Sequence, residues 1–235
     1  MIDVKEFREQ GYLYDSLENY KELINFDEFV KIKEFIDSKN INKFSKYDYL
    51  YFANQASYHE EIIYENFLKK DKDEKNADLV FKKSHEYMIK KIEECNFYPT
   101  WVFGTSMDSE ITNLIHKETI SNFQKEFKKI YYPEKESQSY YACNKLQFYD
   151  KGCEIKLHDD GKDLNRLCVF IYFLNDEWND ENGGYLIVYD TNNNPIKLKP
   201  TFPNFVVLDS NLNLFHEVEK IKNGIKYNIV SFYNG

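Results

Sequence analysis

The sequence predicts an α+β fold in which helices precede residue 135 and a β-rich core follows it. Before that point apolar residues recur at helical spacing, whereas after it short β-branched and aromatic runs alternate with turn-forming residues. The chain of 235 residues is also long enough to bury a substantial core. We therefore expect a mainly helical part, residues 1–135, packed on a sandwich, jelly roll or barrel, residues 136–235, within one compact domain.

The helical prediction depends on two segments of the first half. "FDEFVKIKEFIDSK" places Phe29 and Ile32 at helical spacing, and "ITNLIHKETISNFQKEFKKI", residues 111–130, repeats that spacing. The charged segment 59–94 is also predicted to be helical, with an interruption. "WVFGTS", residues 101–106, is predicted to be a first strand.

The second half is predicted to contain about seven strands. Turn-forming segments such as "NDENGG", "TNNNP" and "KNG" separate them. The predicted strands are "YYACNKLQFYD", "EIKLHDD", "RLCVFIYFLN", "GYLIVYD", "NFVVLDS", "NLFHEVE" and "KYNIVSFYN". So many short strands in this length are typical of a closed or two-sheet β architecture.

Charge and composition exclude several classes of partner. The 31 basic and 40 acidic residues give a net charge of −9, which disfavours a general nucleic-acid or anionic-membrane surface. The sequence also lacks a basic, aromatic stripe, which disfavours nucleic-acid demethylation. The start "MIDVKEFREQ" lacks the features of a signal peptide, and no apolar run is long enough to span a bilayer. The four cysteines form no C-x-x-C pair, so we expect reduced, structural thiols in a cytoplasmic protein.

The segment "YDKGCEIKLHDD" indicates a metal site. Alternate residues of a strand share a face, so His158 and Asp160 are expected to point one way and Ile155 and Leu157 the other. An imidazole nitrogen beside a carboxylate oxygen supplies two of three ligands. We expect the third from His216, the only histidine further along the chain, which lies in the strand-like run "NLFHEVE".

Two histidines and one carboxylate on one side of a metal leave three positions open, which is the ligand set of non-heme Fe(II) oxygenases. A structural zinc site would need a fourth ligand, preferably a cysteine, and no cysteine is obviously placed for it. The alternative is that H-x-D occurs by chance and that the histidines are ordinary core residues.

The final strand carries a second candidate group. In "KYNIVSFY" alternation places Lys226, Asn228, Val230 and Phe232 on one face. A lysine buried beside such apolar residues would require an anion. The alternative is an exposed lysine on an edge strand.

Taken together, these segments resemble the prolyl 4-hydroxylase-like 2-oxoglutarate/Fe(II)-dependent dioxygenase family. "YDKGCEIKLHDD" is similar to the family element Y-x-x-G-x-x-x-x-x-H-x-D, and "RLCVFIYFLNDEWNDENGGYLIVYD" resembles its next two strands. "FHEVEKIKNGIKYNIVSFY" is similar to the family ending H-x-V…G-x-R/K-x-S…W/F. The resemblance covers roughly residues 140–235 and implies a double-stranded β-helix, a jelly-roll or cupin-like core, backed by N-terminal helices.

The resemblance also implies cofactors and site residues. The family uses Fe(II), 2-oxoglutarate as co-substrate and O2, with ascorbate as a reductant. The iron ligands would be His158, Asp160 and His216, and the 2-oxoglutarate residues would be Lys226, Tyr149 and Asn228, the last replacing the usual serine.

The implied reaction is hydroxylation of an unactivated C–H bond, with 2-oxoglutarate decarboxylated to succinate. Halogenating relatives have a small residue at the position of Asp160, so hydroxylation is expected here. The leading substrate is a prolyl residue in a peptide or protein. The alternatives are a free amino acid or other small molecule, and a non-catalytic jelly-roll binding module.

Two further residues are predicted to bind substrate. Arg166 begins the strand after the H-x-D loop and could meet a substrate at the pocket mouth, with a surface ion pair as the alternative. Trp178 lies in the 176–184 loop, which is predicted to act as a lid.

Overall fold

The computed structural model describes residues 4–38, 101–103, 118–135, 137–149, 151–160, 166–212 and 214–234. Its helices are α1 (Val4–Gln10), α2 (Phe26–Ser38) and α3 (Glu118–Tyr131), with 3-10 turns at Leu17–Tyr20 and Pro133–Lys135. Its strands are β1 (Tyr12–Ser16), β2 (Trp101–Phe103), β3 (Tyr141–Tyr149), β4 (Ile155–His158), β5 (Arg166–Phe173), β6 (Leu186–Tyr189), β7 (Pro195–Leu198), β8 (Asn204–Asp209), β9 (His216–Val218) and β10 (Lys226–Asn234).

The strands form two antiparallel sheets that pack face to face. The larger sheet has the order β1-β8-β5-β10-β3-β2, and the smaller one has the order β4-β9-β6-β7. Strand β10 lies at the centre of the larger sheet, where it pairs with β3 on one side and β5 on the other. The expected α+β architecture, with a two-sheet β core, is confirmed.

Alternation along β5 creates two separate hydrophobic clusters. Val169 and Ile171 belong to the cluster between the two sheets, whereas Phe170 and Tyr172 belong to the cluster on the helical side. Because successive side chains of a strand point to opposite faces, a strand covered on both faces is a continuous apolar run, as "RLCVFIYF" is.

Helix α3 covers the outer face of the larger sheet through aromatic residues one turn apart. The Phe123 ring lies 5.3 Å from that of Phe205, and the Phe127 ring lies 5.2 Å from that of Phe170, both edge to face. These rings are fully buried. The helical layer therefore supports the sheet from behind and leaves the inter-sheet side for the pocket.

Two strands were not predicted. β1 pairs with β8, so the N-terminal part contributes a strand as well as helices to the structure. β7 follows directly on the "TNNNP" turn and pairs with β6. Both are short, four or five residues, and neither shows a periodicity strong enough to stand out from its neighbours.

The other predicted helices and strands can be compared with the structure only where their residues are described. A strand at 101–103, helix α2 and the second half of the long predicted helix are confirmed. The predicted helix 59–94 and residues 111–117 lie outside the described residues. Cys153 and Cys168 are buried and neither forms a disulfide. In the described part of the chain, no helix is both long and apolar enough to cross a membrane.

Candidate active site

The pairing of β4 with β9 brings the two predicted histidine ligands together. His158 and His216 are direct partners across this ladder, with ring centroids 4.3 Å apart. Asp160 follows the end of β4, and its Oδ2 lies 3.6 Å from His216 Nε2. One ligand atom from each of the three residues lies within 4.8 Å of the others. The three residues predicted from widely separated positions therefore form one cluster.

A β-bulge in β4 corrects the predicted facing of its residues. Ile155 is opposite Val218 and His158 is opposite His216, so β4 advances three residues while β9 advances two. Strict alternation would turn Ile155 away from His158, but both line the same pocket. That part of the prediction was wrong because the extra residue shifts the alternation by one. Leu157 does not line this pocket, in agreement with its predicted position on the other face, but it is 51% exposed rather than packed.

The backbone fixes the orientation of both imidazoles. His158 Nδ1 lies 2.8 Å from the carbonyl oxygen of Lys156, and His216 Nδ1 lies 3.2 Å from that of Leu214. With Nδ1–H donating to these carbonyls, Nε2 of each ring remains available to a metal. Burial lowers the pKa of His216, partly opposed by the charge of Asp160, which favours the neutral imidazole that binds metal.

The same pocket is also lined by a buried cation. Lys226 is only 2% exposed, and its Nζ lies 5.1 Å from the centroid of the Tyr149 ring and 5.7 Å from that of Phe173. No carboxylate of the described residues forms an ion pair with it. Burial lowers the pKa of Lys226 to about 7. The edge-strand alternative for this lysine is excluded, because β10 is central and the side chain is buried.

A polar network lies beside this lysine. In the β10–β3 ladder Lys226 is opposite Tyr149 and Asn228 is opposite Gln147. Tyr149 Oη donates to Gln147 Oε1 at 2.6 Å, and Asn228 Nδ2 donates to the same oxygen at 3.2 Å. Burial raises the pKa of Tyr149, so its phenol stays protonated. Sequence analysis missed Gln147, although its position two residues before Tyr149 places both side chains on one face.

Apolar side chains form much of the rest of the pocket wall. The wall residues shared by the two sheets are Ile155, Val169, Ile171, Phe173, Leu186, Val218, Val230 and Phe232. All four residues expected on one face of β10 line this pocket, as predicted. A wall of this kind excludes water and strengthens the interactions of a charged ligand at either end.

The two predicted substrate residues lie in different environments. Arg166 is beside the metal cluster, with Nη1 3.5 Å from Asp160 Oδ1. Trp178 is 4% exposed, and its Nε1 donates to the carbonyl of Gly183 at 2.6 Å. The indole therefore packs inside its own loop, and it is not among the described residues that line the pocket.

Comparison with known proteins shows similarity to a family over part of the chain. Residues 144–234 match the model of the 2OG-Fe(II) oxygenase superfamily. No curated protein matches the chain in sequence. Among solved structures, a prolyl-4-hydroxylase from Pseudomonas putida is similar over 98% of this chain and 96% of its own, with a TM-score of 0.50 and 11% identity. At this identity the likeness shows a shared fold.

Two other solved structures are similar over part of the chain. A prolyl hydroxylase from Trichoplax adhaerens, in complex with a hypoxia inducible factor peptide fragment, is 22% identical over 50% of this chain and 56% of its own, with a TM-score of 0.40. A viral collagen prolyl hydroxylase from Paramecium Bursaria Chlorella virus-1 is 19% identical over 63% of this chain and 87% of its own, also with a TM-score of 0.40. The family match is confined to residues 144–234, where the chain is similar to the 2OG-Fe(II) oxygenase superfamily, and the shared fold is a double-stranded β-helix. The cluster of His158, Asp160 and His216 lies in this segment and suits the Fe(II), 2-oxoglutarate and O2 that this superfamily uses.

Proposed function

We propose that the protein hydroxylates an unactivated C–H bond of a prolyl residue in a peptide or protein, while 2-oxoglutarate is decarboxylated to succinate. The observation that supports this most strongly is that one apolar-walled pocket is lined both by a three-ligand cluster and by a buried lysine that no carboxylate of the described residues ion-pairs. Bound Fe(II) would supply the activation of O2, with the keto acid as the source of electrons.

His158, Asp160 and His216 are the proposed iron ligands. Two neutral imidazole nitrogens and one carboxylate oxygen suit Fe(II), and their grouping on one side leaves positions for the keto acid and O2. The residues fit this metal, because each Nδ1 contacts a backbone carbonyl, which leaves Nε2 as the ligand atom, and Asp160 Oδ2 lies 3.6 Å from His216 Nε2.

Lys226, Tyr149 and Asn228 are the proposed residues for the distal carboxylate of 2-oxoglutarate. A protonated Lys226 provides a charge-assisted hydrogen bond, and Tyr149 and Asn228 add neutral donors if they exchange their contacts with Gln147. Asn228 is 1% exposed and lines the same pocket as Lys226 and Tyr149.

The metal end of the pocket is the side from which substrate would enter. The Asp160 side chain is 21% exposed, whereas Lys226 is 2% exposed. Arg166, the substrate contact proposed from the sequence, lies against Asp160 with its side chain 10% exposed. For Trp178, its burial supports a role in holding its loop together more than a contact with substrate.

The prolyl substrate itself is supported by the sequence motifs and by a fold shared with a prolyl-4-hydroxylase. A free amino acid or another small molecule is the second candidate, because the residues that form the pocket suit either. The family resemblance also supports ascorbate as a reductant. Thiols outside any disulfide at Cys153 and Cys168 support a reducing compartment such as the cytoplasm.

The test begins with Fe(II) and 2-oxoglutarate added to the protein without oxygen. We expect a visible charge-transfer band from the chelated keto acid, and no band in His216→Ala. On admission of air, succinate release stimulated by a proline-rich peptide, and hydroxyproline in that peptide, would support the prolyl substrate. Stimulation by free amino acids alone would favour the small-molecule alternative. A protein that shows neither the band nor succinate would be a non-catalytic binding module.

A further inference from the structure

We propose that Arg166 is a positioning residue that holds the Asp160 carboxylate so that one oxygen faces the metal, an inference that rests on the proposed iron site. Arg166 Nη1 lies 3.5 Å from Asp160 Oδ1 and 3.3 Å from the Asp160 backbone oxygen. The other carboxylate oxygen, Oδ2, lies 3.6 Å from His216 Nε2. The two oxygens therefore have different neighbours, a guanidinium on one side and the imidazole pair on the other.

Asp160 is the ligand that most needs such support. His158 and His216 are partners in the β4–β9 ladder, and each has its ring held by a backbone carbonyl. Asp160 lies two residues beyond the end of β4, where no strand ladder holds its backbone. A carboxylate on such a segment can rotate about its side-chain bonds unless another group holds it.

Arg166 is itself held in place on a central strand. Its guanidinium carbon lies 4.2 Å from the centroid of the Phe232 ring, and its Nε lies 3.4 Å from Asn234 Oδ1. Its side chain is only 10% exposed. Arg166 and Asn234 are also partners in the β5–β10 ladder. The guanidinium therefore approaches Asp160 from a fixed direction, and the planar fork of arginine suits a contact to both a carboxylate and a carbonyl oxygen.

This arrangement has a direct consequence for the metal. With Oδ1 engaged by Arg166, Asp160 would present Oδ2 to Fe(II) and would hold it through one oxygen. A carboxylate that bound through both oxygens would occupy a position needed by the keto acid or O2. Outer partners of metal ligands of this kind typically change metal affinity by about 10- to 100-fold when they are removed.

The test measures metal affinity rather than turnover. Mn(II) binding to the full chain is titrated without oxygen for wild type, Arg166→Gln and Arg166→Lys, each alone and combined with Asp160→Ala. Arg8→Gln is the matched control, because Arg8 also binds a carboxylate, Glu134 at 2.7 Å, and a backbone oxygen, that of Tyr131 at 2.7 Å, away from the pocket.

We expect Arg166→Gln to weaken Mn(II) binding by about 10-fold or more, Arg166→Lys to lose less, and Arg8→Gln to have no effect. In the Asp160→Ala background neither Arg166 variant should weaken binding further, since the residue acts through Asp160. Equal losses in both backgrounds would indicate a merely structural role and overturn the proposal, as would an unchanged affinity in folded Arg166→Gln.

Two controls keep the outcome interpretable. If the thermal melt shows that Arg166→Gln does not fold, Arg166→Lys replaces it. Its effect on Mn(II) affinity is then compared between the wild-type and the Asp160→Ala chains. If the wild-type chain does not bind Mn(II), the proposed iron site fails. If the wild type binds and folded Arg166 variants bind equally well, only the positioning role fails.

Discussion

The two faces of β10 differ in whether a buried polar group finds its partners within the protein. On the helical face, Ser231 is fully buried and accepts a hydrogen bond from Gln124 of α3 at 2.5 Å, while it donates to Asn144 of β3. On the pocket face, Lys226 is equally buried but no carboxylate of the described residues pairs with it. The same strand thus carries Ser231, whose hydrogen bonds are satisfied by the protein, and Lys226, whose charge is not paired by a carboxylate of the described residues.

This difference separates a structural role from a binding role. A buried polar group that is satisfied internally contributes to the stability of the fold, whereas a buried charge without a counter-charge lowers it. Such a charge is useful where a ligand of opposite charge binds to it. Removing the polar group on the helical face should therefore lower stability and leave ligand binding unchanged. Removing the lysine on the pocket face should raise stability and weaken ligand binding.

The largest effect is expected at the metal cluster. His216→Ala removes one of three ligands, and we expect Mn(II) affinity and succinate formation to fall by more than about 100-fold, since even outer-shell changes cost up to that much. Isothermal titration and a succinate assay measure this. Arg8→Gln serves as the unaffected control, and retention of near-wild-type Mn(II) affinity would remove His216 from the ligand set.

Lys226→Met should abolish tight binding of 2-oxoglutarate. Truncating one partner of a buried, hydrogen-bonded charge pair costs about 2–5 kcal/mol, which is at least about 30-fold in affinity. The anaerobic charge-transfer titration with Fe(II) gives the dissociation constant. Mn(II) affinity without 2-oxoglutarate should be unchanged. Equal 2-oxoglutarate affinity in wild type and Lys226→Met would contradict the role of Lys226 in binding the distal carboxylate.

Binding of 2-oxoglutarate should depend on pH through the same lysine. Because burial lowers the pKa of Lys226 to about 7, the free protein loses this charge above neutral pH and must take up a proton to bind a dianion. We expect affinity to fall by up to about tenfold per pH unit above pH 7. Lys226→Arg stays charged over this range, so its affinity should lack that slope.

The same burial predicts a gain in stability for Lys226→Met. Below pH 7 the lysine is charged in both the folded and the unfolded chain, so its full burial penalty is present. Between pH 7 and its ordinary pKa of 10.5 the folded protein sheds the proton first, and the penalty declines. Thermal melts should therefore show a rise in Tm for Lys226→Met that is largest below pH 7 and shrinks as the pH rises.

Ser231→Ala should have the smallest effect and the opposite sign. The change leaves the buried Gln124 and Asn144 amides without this partner, which should lower stability by about 1–3 kcal/mol. Urea unfolding measures this loss. Mn(II) and 2-oxoglutarate affinities should stay as in wild type, and a large loss of either would show that the helical face also shapes the pocket.

Local pattern predicted much of the site but not all of it. Alternation placed Lys226 and Asn228 on one face of β10 correctly, and the position of His216 in a strand identified the third member of the cluster. The same rule failed at Ile155, because the bulge in β4 is defined only by its pairing with β9. Gln147 was missed, since its importance depends on the register of β3 against β10.

By itself the sequence determined helix α3, every strand after residue 135 except β7, the side chains that share a face of β10, and which side chains are able to bind metal. These properties follow from the period of a single strand or helix. Only the tertiary structure decided that His158 meets His216, that Lys226 is buried with no ion pair to the described carboxylates, and that Arg166 reaches Asp160. Each of these depends on register and packing between segments far apart in the chain, which no local periodicity encodes.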